Sequence, residues 1–265
     1  MIPYIQINLP TYDLMALIGL AASVSFLKLR NRRFGYTKKQ LLWLFLAAII
    51  GMLAGSRLMY VLSVFPELLK QGLTVMLLAK HLFTGGFVFY GGLFGAVAGI
   101  MLCCHYQNMD VWQALNYAAP AMPLFHMFGR VGCFLAGCCY GIESSFGIPY
   151  LGTRRFPVQL LEAVLEFVLV IWLLSYEDKV KEQAGLSEEE DMGKMPKYFL
   201  LRRYMTAYAV LRFGLEFLRG DAARGYWGVA STSQWISIFL LAVLGMSWWM
   251  MRRKEKDGEK YSEGK

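Results

Sequence analysis

The 265-residue sequence is 57% apolar and only 17% charged, poorer in charge than an ordinary water-soluble domain. Its net charge of +8 sits in short clusters beside apolar blocks, as in Lys28-Leu-Arg30-Asn-Arg32-Arg33 and Arg252-Arg253-Lys254. That placement sets membrane topology and argues against a nucleic-acid-binding surface.

The apolar residues come in blocks of about twenty, the length a helix needs to cross roughly 30 Å of hydrocarbon. Met1 to Pro10 has no basic region of the kind that opens a cleaved signal peptide, so insertion is expected to rely on the first span. Spans are predicted near 12–29, 41–65, 85–104, 112–128, 157–176, 199–218 and 232–251, an all-α membrane protein of about seven transmembrane helices. The fourth is interrupted by Pro120 and Pro123, which a helix bundle tolerates where neighbours satisfy the freed carbonyls. The sixth carries Arg202, Arg203, Arg212, Glu216 and Arg219, costly if they faced lipid.

Basic residues orient the chain. The 28–39 segment holds six Lys or Arg, the 176–198 loop holds Lys179, Lys181, Lys194 and Lys197, and the tail after Met251 holds six more. Retention of these on the cytoplasmic side predicts an outside N-terminus, a cytoplasmic C-terminus, and outward-facing 66–84, 129–156 and 219–231 segments. The domain reading is a membrane domain over 1–251 and a basic cytoplasmic tail over 252–265. The acidic run Leu186-Ser-Glu188-Glu189-Glu190-Asp191 reads as a solvated linker without chemistry. No internal repeat is visible, which disfavours transporters built from duplicated halves.

Ionisable groups inside spans usually face a bundle interior or cavity and mark function. Tyr208, Arg212, Glu216 and Arg219 follow each other by four, four and three residues, a spacing that stacks them on one helix face. Either they are a polar stripe serving a site, or Arg212 and Glu216 are an internal ion pair that fixes packing. Arg57 and Arg130 are expected near the outward ends of the second and fourth spans. With Arg212 and Arg219 they offer guanidinium groups suited to bidentate phosphate binding, so an anionic lipid headgroup is the natural guest.

Two glycine-rich segments, Gly85 to Gly95 and Gly129 to Gly141, accompany the arginines. Glycine there serves close helix packing or lets backbone N–H groups reach a ligand. Cys103 and Cys104 are placed at the cytoplasmic end of the third span, Cys133, Cys138 and Cys139 in the outward glycine segment. The latter set, with His126 one turn before Arg130, is open to four readings: a metal cluster, a redox pair, a nucleophile, or buried packing thiols. Its spacing is not the CxxC of a zinc site.

Seven short motifs in order resemble those of the prolipoprotein diacylglyceryl transferase family. Tyr12-Asp-Leu14-Met15-Ala-Leu-Ile18-Gly19 resembles YGLMxLIG, and Gly55-Ser-Arg57-Leu58-Met-Tyr60-Val61 resembles GxRxxYV. Tyr90-Gly91-Gly92-Leu93-Phe-Gly95 is similar to HGGLIG, and Gly129-Arg130-Val-Gly132-Cys133-Phe134, ending at Gly137, to GRxGNFxNGE. Pro157-Val-Gln159-Leu160-Leu-Glu162 resembles HPSQLYE, Tyr208-x3-Arg212-x3-Glu216-x2-Arg219 repeats the family spacing, and Ser231-Thr-Ser-Gln234 is similar to SxGQ.

The resemblance implies a bacterial plasma-membrane enzyme with a lipid cavity open to the outer leaflet. It would move the diacylglyceryl group of phosphatidylglycerol to the cysteine of a prelipoprotein signal peptide bearing a lipobox, and need neither metal nor cofactor. Arg130 and Arg212 would hold the phosphate, supported by Arg219 and Glu216. Tyr12, Arg57, Gly91, Gly92, Gly129, Gly132, Gly137, Gln159 and Tyr208 would complete the substrate-binding set. The departures fall on reacting positions: Tyr90 replaces the histidine before GGL, Cys133 the asparagine of GRxGN, Cys138 the glutamate of NGE, and Phe156 the histidine of HPSQ. Tyrosine, with an ordinary pKa near ~10, is a poor base at neutral pH, so His126 is the expected replacement base. Two other readings stay open: a cysteine serving as a transient covalent carrier of lipid, and a non-catalytic lipid-binding or transport protein.

Overall fold

A computed structural model describes residues 10–72, 74–84, 86, 88–150, 152–185, 200–221 and 226–263. Gly85, the acidic run 186–191, Lys194 and Lys197 lie outside the described residues. The protein is an all-α membrane protein with two small hairpins, and five of the described helices are long and apolar enough to cross a bilayer. By contacts the chain forms two units, Met1–Cys138 with Gln159–Leu201, and Cys139–Val158 with Arg202–Lys265.

In the first unit, α1 (Thr11–Phe34) ends on Gly35, whose φ of 71° lets its N–H cap the Asn31 carbonyl, and Arg32 and Arg33 sit in the last turn, where positive charge suits the helix dipole. The next helix, α2 (Lys38–Lys70), opens with a capping box: the Thr37 N–H donates to Gln40 Oε1 at 2.9 Å and the Gln40 N–H to Thr37 Oγ1 at 3.2 Å. The helix continues five residues past the expected limit of the span at 65, and the part long and apolar enough to cross a bilayer is Lys38–Phe65. The short α3 (Val75–Thr84) was not expected; its His81 stacks on Tyr60 of α2 with centroids 6.4 Å apart.

The third predicted span is α4 (Phe89–Gln107), which packs on α2 backbone to backbone. A Cβ on Gly91 would collide with the Gly55 carbonyl, one on Gly95 with the Gly51 carbonyl, and one on Gly99 with the Ala47 carbonyl. Close packing is therefore what this glycine row does in α4.

The fourth predicted span is two helices, α5 (Val111–Ala118) and α6 (Ala121–Ala136). Asp110 caps α5 by accepting the Gln113 N–H at 2.7 Å. Pro120 occupies the N-cap of α6 and Pro123 its first turn, where a missing N–H costs little. Restarted there, α6 carries Gly129 through Ala136 as helix, eight residues past the expected end of the fourth span at 128. It packs on α1: a Cβ on Gly132 would come within 3.0 Å of Met15 Cβ and 3.3 Å of the Tyr12 ring. The last helix of this unit, α7 (Val158–Gln183), contains the fifth span.

In the second unit, β1 (Glu143–Tyr150) pairs antiparallel with β2 (Thr153–Arg155) across a bulge, a hairpin absent from the sequence reading. The sixth predicted span is α8, only Leu200–Leu215, followed by a 3₁₀ turn over Glu216–Leu218. A two-residue pair, β3 (Tyr226–Trp227) and β4 (Ala230–Ser231), leads into α9 (Thr232–Glu263). The Ser231-Thr-Ser-Gln234 motif is the capping box of α9, with the Ser231 N–H on Gln234 Oε1 at 2.9 Å and the Gln234 N–H on Ser231 Oγ at 3.2 Å.

Candidate functional site

The richest polar cluster joins α6 to α7 inside the first unit. His126 and Arg130, one turn apart on α6, face Glu162 and Glu166, one turn apart on α7, and all four are buried. His126 Nδ1 lies 2.8 Å from Glu166 Oε1, a hydrogen bond between the two buried side chains. Its other ring nitrogen, Nε2, lies 3.9 Å from Glu162 Oε1. Glu162 turns its other oxygen to Arg130 Nη2 at 2.5 Å, and Arg130 Nη1 reaches Cys133 Sγ at 3.7 Å. Phe89 of α4 stacks on the imidazole with centroids 3.7 Å apart.

That stacking sets His126 beside the start of α4, where Tyr90 replaces the family histidine. Tyr90 itself is buried against Phe94 at 6.0 Å between centroids. His126, Glu162 and Glu166 have ligand atoms within 4.8 Å of one another, a set able to hold a metal in principle, although the Arg130 guanidinium already neutralises Glu162.

The end of α6 is ordered by Gly137, at φ 74°, and by buried Gln159, whose Nε2 donates to the Cys138 carbonyl at 2.7 Å. No Cβ contact would meet a side chain at Gly129, so the helix face beside Arg130 is open there. Of the remaining first-unit expectations, Tyr12 lies over Gly132, and Gly91 and Gly92 are occupied by α2, with a Cβ on Gly92 3.3 Å from Met52. Half-buried Arg57 follows Ser56, whose hydroxyl donates to the Val88 carbonyl at 3.1 Å.

The second unit holds the other arginines. Tyr208, Arg212, Glu216 and Arg219 are all buried, but they do not form one helical stripe. Helix α8 stops at Leu215 and Arg219 is extended at φ −81°, ψ 138°, because Gly141 pairs with it as an isolated bridge and the Gly220 N–H donates to the Tyr140 carbonyl at 2.9 Å. Arg212 pairs with Glu216 at 2.8 Å and donates to Ser233 Oγ at 3.3 Å, as the ion-pair reading expected. Arg219 turns instead to Asp221, with Nε to Oδ1 at 2.9 Å and Nη2 to Oδ2 at 2.6 Å.

Sequence reasoning did not place Glu162, Glu166 or Asp221 among the site residues. The first two had a signal: two carboxylates four residues apart inside an apolar span are expensive unless they are used.

A family model described as prolipoprotein diacylglyceryl transferase matches residues 1–251. A phosphatidylglycerol–prolipoprotein diacylglyceryl transferase 2 from Clostridium perfringens is 33% identical over 246 residues, covering 88% of both chains. The corresponding transferase of Clostridium tetani is 32% identical, covering 88% of this chain and 89% of its own. That of Campylobacter hominis is 28% identical over 96% of this chain and 91% of its own. The matching residues span nearly all the helices and both polar clusters, and the chain belongs to the prolipoprotein diacylglyceryl transferase family.

Proposed function

We propose that this chain transfers the diacylglyceryl group of phosphatidylglycerol, or a similar anionic phospholipid, to the lipobox cysteine of a prelipoprotein signal peptide. The working place is the outer leaflet of the bacterial plasma membrane. Residues 1–251 form the transferase, crossing seven times with the N-terminus outside, and the basic 252–265 segment ends it in the cytoplasm.

The observation that supports this reading best is the His126–Glu166 pair, set beside Arg130 and next to the α4 position where a histidine was lost. Glu166 fixes the imidazole so that Nε2 takes the proton of the acceptor thiol. The thiolate attacks the glycerol carbon, an S–C bond forms, the C–O bond breaks, and glycerol phosphate departs with the electron pair. Arg130 stabilises charge on that leaving phosphate, and the family resemblance gives Arg212 the same role. Their carboxylate partners do not preclude this, since a guanidinium's five donors can serve a carboxylate and a phosphate together. Tyr12, Gln159 and the open face at Gly129 belong to the same unit as this cluster, and the family resemblance gives Tyr208 and Arg219, the latter held by Asp221, substrate-binding roles.

The test reconstitutes purified protein with phosphatidylglycerol and a lipobox-cysteine peptide, and follows both glycerol phosphate and the thioether-linked peptide. Both products are expected from wild type and neither from Arg130→Ala. Lipid recovered unaltered across thiol and hydroxyl acceptors would instead mark a binding protein.

A further inference from the structure

The two positions where α6 and its end depart from the family signature, Cys133 and Cys138, are also the two that the helix terminus brings together. The Cys138 N–H donates to the Cys133 carbonyl at 3.0 Å and the Gly137 N–H to the Phe134 carbonyl at 3.2 Å. With Gly137 left-handed, this is the paired hydrogen-bond pattern of a Schellman stop, which lays the side chain following the glycine against the one four residues before it. Those positions usually hold an apolar contact; here both are thiols, with sulfur atoms within 4.8 Å. The Gln159 bond to the Cys138 carbonyl holds the pair from the other side. Their surroundings differ usefully: Cys138 is exposed, whereas Cys133 is buried with its sulfur 3.7 Å from Arg130 Nη1.

We propose that Cys133 and Cys138 are a covalent modification site that closes reversibly into an intramolecular disulfide when a disulfide oxidant reaches Cys138. The exposed Cys138 thiolate attacks the oxidant and expels one half as a thiolate. Cys133 then attacks the Cys138 sulfur and expels the second half. Two S–H bonds are lost, one S–S bond forms, and the oxidant is reduced to two thiols. The bridge removes the Cys133 thiol from Arg130 and pins Cys138 over the end of α6. Bond formation stands apart from the proposed transferase reaction; only the expected loss of turnover rests on it.

The experiment treats the full-length protein in phosphatidylglycerol nanodiscs with oxidised glutathione, then measures intact mass and alkylatable thiols. Wild type and Cys139→Ser are expected to lose two hydrogen atoms and two alkylatable thiols, recovered with dithiothreitol. Cys133→Ser and Cys138→Ser are expected to show no such closure. Only a glutathione adduct on wild type, or closure abolished by Cys139→Ser, would overturn the site. On the same samples, turnover is expected to fall about tenfold or more, as displacement of a positioning group predicts, and to return on reduction. A closed bridge with unchanged turnover would overturn the effect on catalysis while leaving the modification site intact.

Discussion

Glu177 near one end of α7, and Glu162 with Glu166 near the other, are buried in the same apolar helix but answered differently. Glu177 meets one guanidinium squarely: Arg30 Nη1 lies 2.5 Å from Oε2 and Nη2 3.0 Å from Oε1. The Asn116 carbonyl accepts from Nη2 at 3.3 Å and the Phe34 ring lies 5.1 Å from the guanidinium carbon. Arg30 gives Glu177 a permanent bidentate partner, and Lys181, one turn on, is buried beside the pair. At the other end, two carboxylates share one permanent cation, Arg130, and one imidazole whose charge depends on its proton. That cluster is neutral only with an additional proton on His126 or on a carboxylate. The first arrangement staples α1 to α7; the second sets an ionisable imidazole between two carboxylates.

Substitutions separate the two ends by what they cost. His126→Ala is expected to lower the rate about 10²–10⁴-fold, the usual contribution of a positioned base, with the protein still folded by circular dichroism. Activity near wild type would remove His126 from the mechanism. Arg130→Lys keeps the charge but loses the planar fork, and about 10²-fold in glycerol phosphate release should go with it; full retention would mean the bidentate geometry is unused. Glu166→Gln keeps the shape of the His126 contact without its charge. A loss of about tenfold with an altered acid side of the pH–rate profile is expected, because a protonated imidazole cannot accept the thiol proton. An unchanged profile would leave Glu166 a packing residue.

Arg30→Ala should barely touch turnover per folded molecule, yet cost about 3 kcal/mol of stability by removing the bidentate partner of buried Glu177. Replacing both partners with Met and Leu should recover most of it. A turnover defect in that double variant would show that the staple is not merely structural.

Apolar block length was enough to read five of the crossing helices, because hydrocarbon thickness imposes itself on any stretch of chain. Pro120 and Pro123 were legible as an interruption, yet not as a fresh start: the chain resumes helix at Ala121 and continues to Ala136 because proline is harmless in a first turn. The basic cluster from Lys28 was legible as the charge that orients the chain, but not that Arg30 within it is buried against Glu177. Arg219 followed helical spacing in the sequence, but its pairing with Gly141 draws it out of the helix and toward Asp221.

The meeting of Cys133 and Cys138 belongs to the local category, since a helix stop on Gly137 involves only hydrogen bonds between near neighbours. Membrane embedding, helix ends and the identity of the unusual residues all follow from such short-range chemistry and from hydrophobic length. Which charge answers which is another matter. Arg30 and Glu177 are 147 positions apart, and His126 and Glu166 are 40 apart. Periodicity carries no information across those distances; only the packing of α1, α6 and α7 brings the groups together. Burial then makes each pairing obligatory, because an uncompensated charge in an apolar interior is too costly to keep.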